Sequence, residues 1–208
     1  MSNQRIPFEP GKYYHVYNHG NGDDNIFKSE GNYLYFLQKY SQYLNPISET
    51  YAYCLMPNHF HFLIRIKSNE SLLEYFKIKY PAKNPQGLQD LAGLVSRQWG
   101  NFLNSYVKAF NIQQSRIGSL FRDNVNRKSV TNKSYFIKLI HYIHYNPVHH
   151  NFVKSIEDWP YSSYHSFLSA KNTKLEKAQV VKWFGNAEAF KETHKSIPDR
   201  NLFLDMEF

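Results

Sequence analysis

The 208-residue sequence has a single cysteine, Cys54. An intrachain disulfide framework and a cysteine-rich zinc site are therefore both excluded, and a reducing, cytoplasmic compartment fits. Long hydrophobic runs are also missing. The longest lies in HFHFLIRI at 59–66, far too short to cross a bilayer. No apolar signal-peptide segment and no basic amphipathic helix beside a lipidation motif is present, which argues against a membrane role. Acidic residues are scarce relative to basic ones, 17 against 25, and the formal charge is +8. Aromatic residues are plentiful, with 17 Tyr and 16 Phe. A basic, aromatic-rich globular chain points to a polyanionic partner, above all nucleic acid.

Hydrophobic periodicity orders the chain. YYHVYNHG (13–20) reads as a strand after a loose basic leader at 1–11. Helical spacing over 29–44 begins at Ser29, a good N-cap. ETYAYCLM (49–56) alternates like a strand, Pro57-Asn58 turns it, and HFHFLIRI returns as its neighbour. A second helical region starts near Ser71, PAKNPQG (81–87) interrupts it, and residues 88–110 form a long amphipathic helix. GSLFRDNV (118–125) is a short strand candidate, and 133–146 is a helix expected to stop at Pro147. The order β-α-β-β-α-β-α predicts an α+β fold, a ferredoxin-like split β-α-β antiparallel sheet with helices packed on it. Residues 1–155 would form the core and 156–208 a C-terminal helical extension packed on or beside it.

His59 and His61 are two apart on a strand, so both side chains leave the same face, opposite Phe60, Phe62 and Ile64. Two neutral imidazoles are half of a divalent-metal site. Such a pair alone is more often two hydrogen-bonded histidines with no metal. A second set lies in HYIHYNP (141–147): Tyr142 and Asn146 are one helical turn apart on one face. The Asn146 amide oxygen is a hard ligand, and Tyr142 would stand within reach of a phosphate bound to the same cation. A tyrosine in so tyrosine-rich a chain can also simply pack. Tyr145 is the rival nucleophile, but it lies about 100° around the helix from Asn146, whereas Tyr142 is in line with it. His141 and His144 are further candidates that need no metal as structural or DNA-facing residues.

With these residues identified, the sequence resembles the single-tyrosine HUH transposases of the IS200-like superfamily, and within it the branch associated with repetitive extragenic palindromes (REPs). Tyr14-His15-Val16, Met56-Pro57-Asn58-His59-Phe60-His61, Tyr142-Ile143-His144-Tyr145-Asn146-Pro147-Val148 and Asp158-Trp159-Pro160-Tyr161-Ser162-Ser163-Tyr164 carry the resemblance, in the family's order. The resemblance implies cleavage and rejoining of single-stranded DNA beside a hairpin, and hence DNA transposition or recombination. It implies Mg²⁺ or Mn²⁺ on His59, His61 and Asn146, and a 5′-phosphotyrosine on Tyr142. Asn146 stands where the wider superfamily often has Gln. The sequence departs from the pattern at Asn18-His19-Gly20, where a basic residue is expected, and in a longer middle segment at 79–87.

Arg65, Lys67, Arg122, Arg127 and Lys128 are candidate nucleic-acid contacts, with Lys77, Lys79, Lys83 and Arg97 behind them. By alternation Arg65 shares the face of His59 and His61. Each basic residue taken singly is more often a solvated surface charge. The expected partner is hairpin-bearing single-stranded DNA, with the protein a homodimer or a monomer. Two other classes compete: a non-catalytic hairpin DNA or RNA binding module of the same fold, and a phosphodiesterase that activates water. The last usually needs carboxylate ligands or a second metal, and no motif places a carboxylate beside the histidines.

Overall fold

A computed structural model describes residues 6–81 and 90–199. Lys83 and most of the 81–87 interruption lie outside the described residues. The fold is α+β. Four strands, β1 (Tyr13–His19), β2 (Ser48–Met56), β3 (His59–Ile66) and β4 (Asn126–Val130), form one antiparallel sheet in the order β2-β3-β1-β4. Helices α1 (Glu30–Leu44), α2 (Asn69–Lys79) and α3 (Leu91–Gln113) precede β4, and α4 (Lys133–His149) follows it. This is the expected split β-α-β arrangement. Among the described residues three short α-helices follow: α5 (Tyr164–Leu168), α6 (Lys177–Phe184) and α7 (Ala187–His194).

Both faces of the sheet are covered, so it separates two cores. Val16, Phe60, Phe62, Ile64 and Ile66 point into the first, against Phe36, Tyr40, Trp99, Phe102 and Tyr106 of α1 and α3. Phe62 is its centre: fully buried, it stacks on Tyr40 with ring centroids 4.2 Å apart. Phe62→Ala is expected to cost about 3–5 kcal/mol, read as a lowered urea midpoint. The opposite face carries Ala52, Cys54, Met56 and Leu63 and packs under Leu139, Ile140 and Ile143 of α4 and Phe167, Val180 and Phe190 of the extension. Cys54 is a small buried hydrophobe, as expected. The extension is also tied to the β2 edge, where Ser163 N–H donates to the Tyr53 carbonyl and Leu55 N–H to the Tyr161 carbonyl.

Three local expectations are corrected. The fourth strand is 126–130, and 118–125 is a loop that meets the end of β1 through an isolated bridge, Gly20 to Phe121. The buried Leu120, Phe121 and Val125 suggested a strand, but they fill the first core from a loop. The α4 helix continues past Pro147 to His149, because His150 N–H donates to the Asn146 carbonyl and keeps the last turn closed. The leader is not wholly loose: Phe8 is fully buried, edge-on to Tyr14 at 5.1 Å.

Candidate active site

Strand alternation and register assemble one polar patch within the second core. His19 pairs with His59, Tyr17 with His61 and His15 with Leu63 across β1 and β3, so His15, His19, His59 and His61 all face α4. The Pro57-Asn58 turn is pinned by Gly20 N–H to the Asn58 carbonyl (2.7 Å) and Phe27 N–H to the Pro57 carbonyl (3.0 Å). An added Cβ on Gly20 would stand 2.2 Å from the Asp24 carbonyl oxygen, so only glycine permits this close approach.

The two sequence-derived half-sites meet here. Tyr142 of α4 lies edge-on to His61, ring centroids 5.7 Å apart, and to His15 at 6.3 Å. The His59 and His61 rings stand 5.2 Å apart and nearly perpendicular. Asn146, one turn beyond Tyr142, donates from Nδ2 to the Tyr142 carbonyl at 2.9 Å, which fixes the amide's orientation. Its Oδ1 is buried and makes no hydrogen bond of good geometry, yet it lies near enough to His59 to favour that imidazole's charged form.

Both strand histidines are held well below the usual imidazole range. The first cause is burial, followed by the neighbouring histidines: His150 and His19 for His59, and His15 foremost for His61. They are therefore neutral near pH 7, and a neutral imidazole is the form that binds metal. His59 Nδ1 meets Asn58 Oδ1 at 2.7 Å. An amide oxygen only accepts, so Nδ1 carries the proton and the lone pair is on Nε2. No group of three or more His, Cys, Asp or Glu among the described residues is arranged to hold a metal ion. The donors gathered here are of a different kind: two neutral imidazoles and an amide oxygen. That set, with a buried oxygen lacking a hydrogen bond, fits a divalent cation whose remaining positions stay open.

The other candidates are placed elsewhere. His144 and His141 turn away from the patch. His144 Nδ1 pairs with His194 Nε2 (2.8 Å), His144 Nε2 with Ser163 Oγ (2.7 Å), and His141 Nε2 with the Ser196 carbonyl (3.0 Å). Tyr145 faces His141, ring centroids 6.2 Å apart, and lines a cavity of about 360 Å³ with Lys154 and Lys195. Arg65 does share the histidine face but sits at the far end of β3, paired with Glu49 at 3.4 Å and lying over the Tyr13 ring. Lys67 follows the end of that strand. Arg127 points to the other face, its guanidinium 4.1 Å from the Phe8 ring centroid and bonded to the Ile6 carbonyl. Lys128 lies opposite His15 in the β1–β4 ladder and adds to burial in lowering that imidazole to about 3. Arg122 is exposed on the loop whose backbone N–H bonds the His19 carbonyl. Sequence reasoning missed His15, His19 and Asn58 as parts of the patch. Alternation along β1 puts His15 and His19 on one face, but only strand pairing shows which histidines they meet.

No helix among the described residues is long and apolar enough to cross a membrane. No protein-family model matches the chain. Over 127 residues it is 29% identical to a Haemophilus influenzae (strain ATCC 51907 / DSM 11121 / KW20 / Rd) protein named "Putative REP-associated tyrosine transposase". That match takes in 59% of this chain and 62% of the relative, less than two thirds of its length. A solved structure, "Structure of the REP associates tyrosine transposase bound to a REP hairpin", superposes with a TM-score of 0.58 over 82% of this chain and 86% of that one, at 15% identity. In sequence over those 127 residues, and in fold over most of its length, the chain is similar to REP-associated tyrosine transposases.

Proposed function

We propose that the protein is a metal-dependent single-stranded DNA endonuclease and strand-transferase acting beside hairpins, with Tyr142 as nucleophile. The observation that carries this is the convergence of His59 and His61 from β3 with Tyr142 and Asn146 from α4 on one polar patch, from segments some eighty residues apart in sequence. The relative's name and the hairpin-bound neighbour support the same substrate class.

His59, His61 and Asn146 would hold Mg²⁺ or Mn²⁺. When bound, the cation polarises the scissile phosphate and stabilises the departing oxygen. The Tyr142 phenolic oxygen attacks phosphorus and loses its proton. The bond from phosphorus to the 3′ oxygen breaks, and that oxygen takes up a proton to leave as a 3′-OH. The 5′ phosphate stays on Tyr142 as an ester. Attack by a 3′-OH on this ester reverses the bookkeeping and restores the phenol, so rejoining needs no ATP. Lys128 beside the patch and Arg122 on the adjoining loop would meet the flanking phosphates.

A second reading, a hairpin-binding module that does not cut, is favoured by one observation: Tyr142 is only 2% exposed. The test is incubation of the full chain with labelled single-stranded hairpin DNA from the flanks of its gene, with and without Mn²⁺. The expected result is an adduct that survives denaturation, requires the metal, and maps by mass spectrometry to the peptide containing Tyr142. Tight binding without any adduct across a panel of hairpins would favour the module.

A further inference from the structure

All three donor side chains of the candidate metal site are themselves held by a second group. His59 Nδ1 is bonded to Asn58 Oδ1 at 2.7 Å, His61 Nδ1 to His15 Nε2 at 2.9 Å, and Asn146 Nδ2 to the Tyr142 carbonyl at 2.9 Å. Two of these contacts have only one sense, because an amide oxygen and a backbone carbonyl can only accept. The His15–His61 contact can run either way: two imidazoles share one proton between their facing nitrogens, and its location decides whether His61 Nε2 carries a lone pair or a hydrogen.

We propose that His15 is a positioning residue that accepts the His61 Nδ1 proton, so holding His61 in the tautomer that presents its Nε2 lone pair to the cation. The inference rests on the metal reading given above. Two features of the structure favour it. His15 is fully buried, as is its hydrogen bond to His61, so water does not compete for the proton. The two rings lie nearly parallel, 18° apart with centroids at 5.0 Å, which fixes the plane of the His61 ring.

The support set has a chemical consequence. Outer partners of metal-bound histidines are commonly carboxylates, carbonyls or water, and a carboxylate raises ligand basicity. Here the three partners are an amide, an imidazole and a backbone carbonyl, all neutral. Neither the donors nor these supports would offset the charge of a divalent cation, which would leave that charge to act on the DNA phosphate. The site is thereby suited to bind metal weakly alone and more tightly once the phosphate supplies the missing anion. By linkage the metal then tightens DNA by the same factor.

The test uses the full chain without DNA at pH 7. A long-range ¹H–¹⁵N imidazole spectrum of the wild type should show His61 protonated at Nδ1. Mn²⁺ titration followed by electron paramagnetic resonance should give an affinity that falls about 10- to 100-fold in His15→Leu. In His15→Gln it should recover, because the Gln amide oxygen can occupy the position of His15 Nε2. His59→Ala should abolish the binding. A wild-type spectrum with His61 protonated at Nε2 overturns the inference, whatever the variants do. Wild-type Mn²⁺ affinity in a folded His15→Leu also overturns it, while leaving the metal reading intact. Mn²⁺ binding indifferent to His59→Ala would remove the metal reading itself, and the inference with it.

Discussion

Acidification from pH 7 to pH 5 is expected to remove about 4 kcal/mol of folding stability through His141 and His194 alone. The two histidines sit where α7 and the segment after it dock on α4. His194 Nδ1 donates to the Phe190 carbonyl at 2.7 Å, so its Nε2 accepts from His144 Nδ1–H, and His144 Nε2 is left to accept from the Ser163 hydroxyl. The whole chain of bonds requires neutral rings. Burial first, with His141 as a like-charge neighbour, lowers His194 to about 3 despite the Phe190 carbonyl and Glu157. Burial likewise lowers His141 to about 4 despite its bond to the Ser196 carbonyl. His144 is pushed well down by burial and then by His194, His141 and His165. The sign follows directly. The unfolded chain takes up protons near the ordinary imidazole value of about 6.5, and the folded chain resists until about pH 4 for His141 and 3 for His194. Stability is therefore complete above pH 6.5 and falls as the pH drops below it, by about 1.4 kcal/mol per pH unit per histidine. Against a typical total of about 5–15 kcal/mol, this is a large fraction. Urea unfolding at pH 7 and pH 5 would measure it, and equal midpoints would show that these rings take up protons over the same pH range folded as unfolded.

Tyr142→Phe should reduce the DNA adduct by at least about a thousandfold, as loss of a nucleophile does, while Tyr145→Phe should leave it within a few fold. The two tyrosines lie on one helix but face different neighbours. Tyr142 abuts His61 and His15, whereas Tyr145 abuts His141 and a cavity under the extension. Neither change removes the ring, so hairpin affinity should persist and stability should move by about 1 kcal/mol or less for the lost hydroxyl. Quantifying adduct on a denaturing gel beside a binding assay separates chemistry from binding. An adduct that survives Tyr142→Phe and disappears in Tyr145→Phe would transfer the nucleophile to the other face of α4 and break its link to the histidines.

Much of the site is local in origin, and to that extent it is legible in the sequence. The two-residue spacing of His59 and His61 places both on one strand face, and the four-residue spacing of Tyr142 and Asn146 places both on one helix face. Ser29 opens α1 and Pro57-Asn58 turns β2 into β3 for equally local reasons. β4 was less legible because NRKSV is a polar edge strand with no strong alternation, while the apolar residues before it are buried from a loop. Pro147 misleads because one missing N–H does not end a helix whose next turn finds other bonds. Arg127 reads as a phosphate contact by charge alone, yet its position opposite Val16 sends it to the Phe8 ring on the other face.

By itself, then, the sequence determined most element types, the order of a split β-α-β sheet and the faces on which the candidate site residues stand. The tertiary structure alone decided that α4 lies over the histidine face, that His15 and not His144 reaches His61, and that His141 and His144 serve the docking of the extension. Periodicity is set by each element's own backbone geometry, whereas the choice of which faces meet is made by burial and hydrogen bonding between segments far apart in the chain.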